Sequence, residues 1–153
     1  MTYKYIMIAA GVFGLIHYFV IRDQFVRLIT GGLLVAISLT FVPIHNFDNA
    51  GILVFALTCF LAIIYAQTKQ PIVKGKKLLI GLTAVPLIFI NVYAIQRLPH
   101  MDLVGLLSVI SLLAYLIIVS TNIKKYKEEI GFLTIMAVDA GVKLSMSLDV
   151  FFA

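Results

Sequence analysis

The chain has 153 residues, 62% of them hydrophobic and only 12% charged, and its mean hydropathy is +1.09. So little charge cannot cover the surface of a soluble domain, which excludes that class and places most of the chain in lipid. The net charge of +5 needs no nucleic acid, because basic residues beside anionic headgroups account for it and make the bilayer the expected partner.

A helix that crosses a bilayer needs about 20 mostly apolar residues. Six stretches qualify: residues 3–21, 28–44, 50–66, 77–95, 102–121 and 130–152. The fold class is therefore all-α, a polytopic membrane protein built as a six-transmembrane-helix bundle, with residues 1–153 as a single transmembrane domain. The first stretch lacks a small-x-small cleavage site after it and reads as a retained helix rather than a signal peptide. Arg22, Arg27, Lys69, Lys74, Lys76, Lys77, Lys124, Lys125 and Lys127, nine residues, fall in the loops after the first, third and fifth spans, against Lys4 and Arg97 on the other side. That asymmetry predicts cytoplasmic basic loops and both termini outside, as in the cytoplasmic (inner) membrane of a bacterium or archaeon.

Along the chain, Gly11 and Gly14 suit close helix contact in the first span, and His17 and Tyr18 lie near its basic rim. In the second span Gly31, Gly32, Ser38 and Thr40 are small or hydroxylated, the usual material of helix packing in lipid. Cys59 is the sole cysteine, which excludes an internal disulfide and any multi-cysteine metal site. Pro86 in the fourth span removes a backbone donor and predicts a kink or opened carbonyls, with Asn91 following. In the fifth span Ser108, Ser111, Tyr115 and Asn122 form one stripe expected to face the interior, and Ser111 and Tyr115 are expected to hydrogen-bond charged groups on the next helix.

Those charged groups are Asp139 and Lys143. At mid-membrane depth an ionised side chain costs roughly 2.5–3.5 kcal/mol on insertion scales, so it faces protein and has a partner. Their i, i+4 spacing supplies that partner on the same helix face, together with Phe132, Met136, Met146 and Val150. Ala137 and Gly141 form a small-xxx-small pair on another face. Asp139, Lys143, Tyr115, Ser111 and Asn91 are thus the candidate ligand, ion or proton site. A structural ion pair that fixes register is the competing reading.

Two outward loops each bring a proline, a histidine and an aspartate: Pro43, His45 and Asp48, and Pro99, His100 and Asp102. If they met, His45, Asp48, His100 and Asp102 would suit a divalent metal at the outer rim; helix caps and turns use the same residue types. Residues 32–39 match residues 105–112 at six of eight positions, an offset that would relate two inverted three-helix halves, as in many transporters.

The run from Met136 to Lys143 resembles the D-x-x-x-K of the final helix of microbial rhodopsins, with Tyr115 in place of a tyrosine near the aspartate. The resemblance implies retinal as a cofactor, held by Lys143 as a Schiff base with Asp139 in its counter-ion. The chain differs from that family in having one span fewer, no tryptophan, and basic loops that imply the reverse orientation. Three function classes follow. One is a transport or channel-type protein, or a subunit of a homo-oligomer or larger membrane complex, working at Asp139 and Lys143. The others are a chromophore-binding sensor using Lys143, and a membrane-embedded lipid-modifying enzyme using the outer rim.

Overall fold

The structure is a computed structural model, described over residues 2–42, 47–68, 74–99 and 101–152. Its helices are α1 (Thr2–Tyr18), α2 (Gln24–Phe41), α3 (Phe47–Thr68), α4 (Lys74–Gln96), α5 (Met101–Gly105), α6 (Ser108–Asn122) and α7 (Ile130–Phe152), with a 3-10 turn at Ile123–Tyr126, and no strand occurs among the described residues. Five helical stretches, Gln24–Phe41, Asn49–Thr68, Gly75–Gln96, Leu103–Thr121 and Ile130–Val150, are long and apolar enough to cross a membrane. The first helix is slightly shorter, at 17 residues. The chain is an apolar helical bundle of the kind expected of an integral membrane protein.

Helix ends explain where the expected spans shift. The first expected stretch ran to residue 21, but α1 stops at Tyr18, where the His17 carbonyl takes both the Val20 and Ile21 amides. The second was expected from residue 28, but α2 starts four residues earlier because the Asp23 side chain caps the Phe25 amide at 2.8 Å. The fifth expected span is divided between α5 and α6. Across the junction the Leu106, Leu107, Val109 and Ile110 amides each reach back three residues rather than four, a local 3-10 tightening. Ser108 Oγ donates to the Gly105 carbonyl at 2.6 Å. Residues 32–39 therefore lie in an unbroken helix, while residues 105–112 straddle this junction.

Helices adjacent in sequence are adjacent in space, and α7 closes the ring by packing on both α6 and α1 while also touching α2 and α4. The interior is filled by Ile29, Leu33, Ile80, Leu87, Ile90, Ile118, Phe132, Leu133 and Met136, all fully buried. On α2 the buried residues Val26, Ile29, Thr30, Leu33, Ala36 and Ile37 recur with helical period, yet its outward residues Leu28 and Val35 are apolar as well. Outward residues elsewhere follow suit: Ile16, Phe19, Leu57, Phe60, Leu78, Phe89, Leu113 and Leu116 are all exposed. Apolar side chains inside and outside are what a lipid solvent allows and water does not.

Hydroxyl groups in the spans are largely satisfied within their own helices. Thr30, Ser38, Thr58, Thr68, Thr83, Thr134 and Ser147 each donate to the carbonyl four residues earlier. Helices α1 and α7 pack antiparallel at very short range. Tyr3 meets Ser145 and Asp149 at one end, Gly14 meets Ile135 further along, and His17 meets Gly131, where an added Cβ would lie 2.6 Å from the imidazole Cδ2. Glycine at these points lets the backbones approach.

Candidate functional site

The i, i+4 spacing on α7 brings Lys143 Nζ into an ion pair with Asp139 Oδ2. Lys143 Nζ also donates to Asn91 Oδ1 of α4 at 2.9 Å and lies 5.0 Å from the centre of the Phe55 ring of α3. Asn91 is itself oriented, because its Nδ2 donates to the Leu87 carbonyl at 2.7 Å. Its oxygen is therefore the atom presented to the lysine. The α7 turn that carries Lys143 is braced from outside: Ser147 donates to the Lys143 carbonyl at 3.0 Å, and Gly105, at the end of α5, abuts Ser147 so closely that any Cβ would collide with it.

The pair is not sealed in. Asp139 and Lys143 side chains keep 12% and 18% of their accessibility and line a cavity of about 110 Å³ whose walls include Met7 of α1, Thr40 of α2, Phe55 of α3 and Asn91 of α4. Thr40 is next to the end of α2 and Gly51, another lining residue, is near the start of α3. The cavity is thus in the half of the bundle that holds Tyr3 and Asp149, away from the basic loops. Phe132 and Met136 on the charged face of α7 are fully buried, whereas Met146 and Val150 are exposed, so that face leaves the protein interior just past Lys143.

The serine and tyrosine of the α6 stripe are correctly placed as interior residues but do not bond the charged pair. Ser111 is fully buried, and its Oγ donates to the Thr83 carbonyl at 2.8 Å. That carbonyl adjoins the Leu82 carbonyl, whose usual donor is missing because Pro86 has no N–H. Ser111 therefore bonds α4, one residue from the carbonyl that Pro86 leaves without its usual donor, and not α7. Tyr115 pairs with Thr134 Oγ1 at 2.8 Å; since Thr134 gives its own hydrogen to the Ile130 carbonyl, the tyrosine is the donor. Ser108 serves the α5–α6 junction, and the Asn122 side chain lies outside the described residues.

A second buried ion pair lies at the opposite, basic end. Glu129, 2% exposed, accepts from Lys76 Nζ at 2.6 Å and from Tyr65 OH at 2.8 Å. Lys76 also donates to the Lys125 carbonyl at 3.1 Å and lies over the Tyr126 ring at 5.4 Å, while Phe25 stacks on Tyr65. Burial, and then the Glu129 carboxylate, push the Tyr126 phenol above its ordinary range. Read from the sequence, Lys76 was one topology signal among several and Glu129 merely began the last helix. An acidic residue at a helix start inside a basic loop was the available sign of a specific partner.

His45 and His100, and the side chains of Asp48 and Asp102, lie outside the described residues. Among the described residues no group of three or more His, Cys, Asp and Glu side chains is arranged to hold a metal ion. Cys59 is free and fully buried. His17 Nε2 is buried without a hydrogen-bond partner among the described residues. No protein-family model, curated protein or solved structure matches this chain.

Proposed function

We propose that the protein is a small membrane transporter or channel-type protein that binds a small solute or proton at Asp139, Lys143 and Asn91. The observation that carries this reading is that the charged pair borders a cavity shared by five helices instead of being enclosed in packed core. A pair that only fixed register would be best served by exclusion of water, which strengthens it. The cavity, about 110 Å³, is small beside the roughly 300–1,000 Å³ of pockets that enclose drug-sized ligands, which favours a small solute over an extended chromophore such as retinal. The same reading places the basic loops in the cytoplasm and both termini outside a bacterial or archaeal inner membrane. It draws on the nine-to-two distribution of basic residues for support. It includes the two inverted three-helix halves, supported by the match between residues 32–39 and 105–112.

Removing one partner of a buried pair leaves an uncompensated charge costing about 3–5 kcal/mol, whereas removing both relieves it. Asp139→Asn combined with Lys143→Met should therefore approach the wild-type thermal midpoint in detergent more closely than either single variant. The double variant should nonetheless fail to complement a deletion strain of the native host. Full complementation by a stable double variant would reduce the pair to a structural brace and end the transport reading.

A further inference from the structure

We infer that Asp139, Asn91 and Phe55 form a receptor for a small primary ammonium ion, a receptor whose place is held in this structure by the chain's own ammonium group on Lys143. The inference rests on the reading of the pair as a working site and adds the chemical class of its cargo.

Among the described residues, the groups that meet Lys143 Nζ are acceptors or an electron-rich surface: the Asp139 carboxylate, Asn91 Oδ1 at 2.9 Å, and the Phe55 ring with its centre at 5.0 Å. The bond from Asn91 Nδ2 to the Leu87 carbonyl holds the amide with its oxygen toward Lys143 Nζ. One full negative charge, one amide dipole and one aromatic face match the N–H groups and the charge of an alkylammonium head. The set suits an anion poorly, since its donor is Lys143, already committed and beside a carboxylate. It also suits a hard metal cation poorly, because such ions gather about six or more oxygen ligands. The adjoining cavity of about 110 Å³ is walled by Met7, Ile37 and Ile52 among others, so a short alkyl tail has apolar surface to occupy while its head replaces Nζ.

Charge balance sets the stoichiometry. One carboxylate neutralises one cation, so an ammonium ion on Asp139 takes the place of Lys143 Nζ and does not share the carboxylate with it. The receptor holds one ammonium ion per chain.

Thermal unfolding of the purified full chain in detergent tests the receptor directly. Methylammonium chloride should raise the midpoint of Lys143→Ala by about 5 °C at saturating concentration. Sodium chloride and tetramethylammonium chloride at the same ionic strength should not, and Asp139→Asn added to Lys143→Ala should remove the response. No response, or an equal response to sodium, overturns the assignment. Should Lys143→Ala fail to fold alone, its purification in methylammonium chloride supplies the test. Methylammonium chloride, and not sodium chloride at the same ionic strength, should then restore a monodisperse chain in detergent; recovery with neither salt, or equally with both, overturns the assignment. Failure of these tests while the double variant above still fails to complement removes the ammonium assignment alone, whereas full complementation removes the working site itself.

Discussion

Arg97 ends α4 in the left-handed region, at φ 50°. The Leu98 amide reaches back to the Tyr93 carbonyl and the Arg97 amide to the Ala94 carbonyl, both at 3.3 Å, the paired bonds of a Schellman cap whose key position favours glycine. A side chain there costs roughly 1–2 kcal/mol, partly offset by the extra freedom glycine gives the unfolded chain. Arg97→Gly should therefore raise the thermal midpoint by about 2–4 °C and Arg97→Val should lower it; an unchanged midpoint in both variants would remove the strain argument. At this same scale the site was unevenly legible in the sequence. Asp139, Lys143 and Asn91 stood out because polar groups at that depth are rare and must be satisfied. Phe55 did not, since an aromatic residue in an apolar span carries no sign of whether it faces lipid or a cation. Ser111 and Tyr115 have the interior period expected of them, but period gives a face and not a partner, and Thr83 and Thr134 were closer acceptors.

At the scale of elements, α1 depends on α7 more than on its own length. Gly14 and Gly131 allow the two helices to meet over Ile135 and His17. Gly14→Val should destabilise the protein by about 1–3 kcal/mol through overpacking. Ile135→Ala, costly alone, should recover part of that loss when the two are combined. Strict additivity in thermal unfolding of the two single variants and the double variant would show that the two positions do not touch. The long apolar helices were readable because apolar length is a strong signal, and α7 begins and ends at the residues expected of it. Ends set by single polar contacts, such as the Asp23 cap of α2, and the 3-10 junction between α5 and α6 were not readable. That junction arises where Gly105 is pressed against Ser147, a contact between residues far apart in sequence.

For the whole molecule, the two ion pairs divide the bundle into unlike halves. The basic end is tied across α3, α4 and α7 by Tyr65, Lys76 and Glu129, and the other half holds the cavity. If the basic loops face the cytoplasm, a cysteine placed at Lys125 should react with a membrane-impermeant maleimide only in inside-out vesicles. A cysteine at Asp149 should react only in right-side-out cells, and buried Cys59 should stay silent in both. The reverse pattern would invert the assigned orientation. The ring order of the helices has a further consequence, for biogenesis. Because α2, α3 and α4 each pack on the helix before them and α7 packs on α6, the bundle can assemble in the order in which a ribosome delivers it, the amino-terminal parts first. Helix α7 follows α3 and α4, so the segment hardest to release into lipid reaches a membrane in which Phe55 and Asn91 are already stationed. Asp139 and Lys143 need not be solvated by lipid at any stage, since the earlier helices act as an internal chaperone for the charges that follow them.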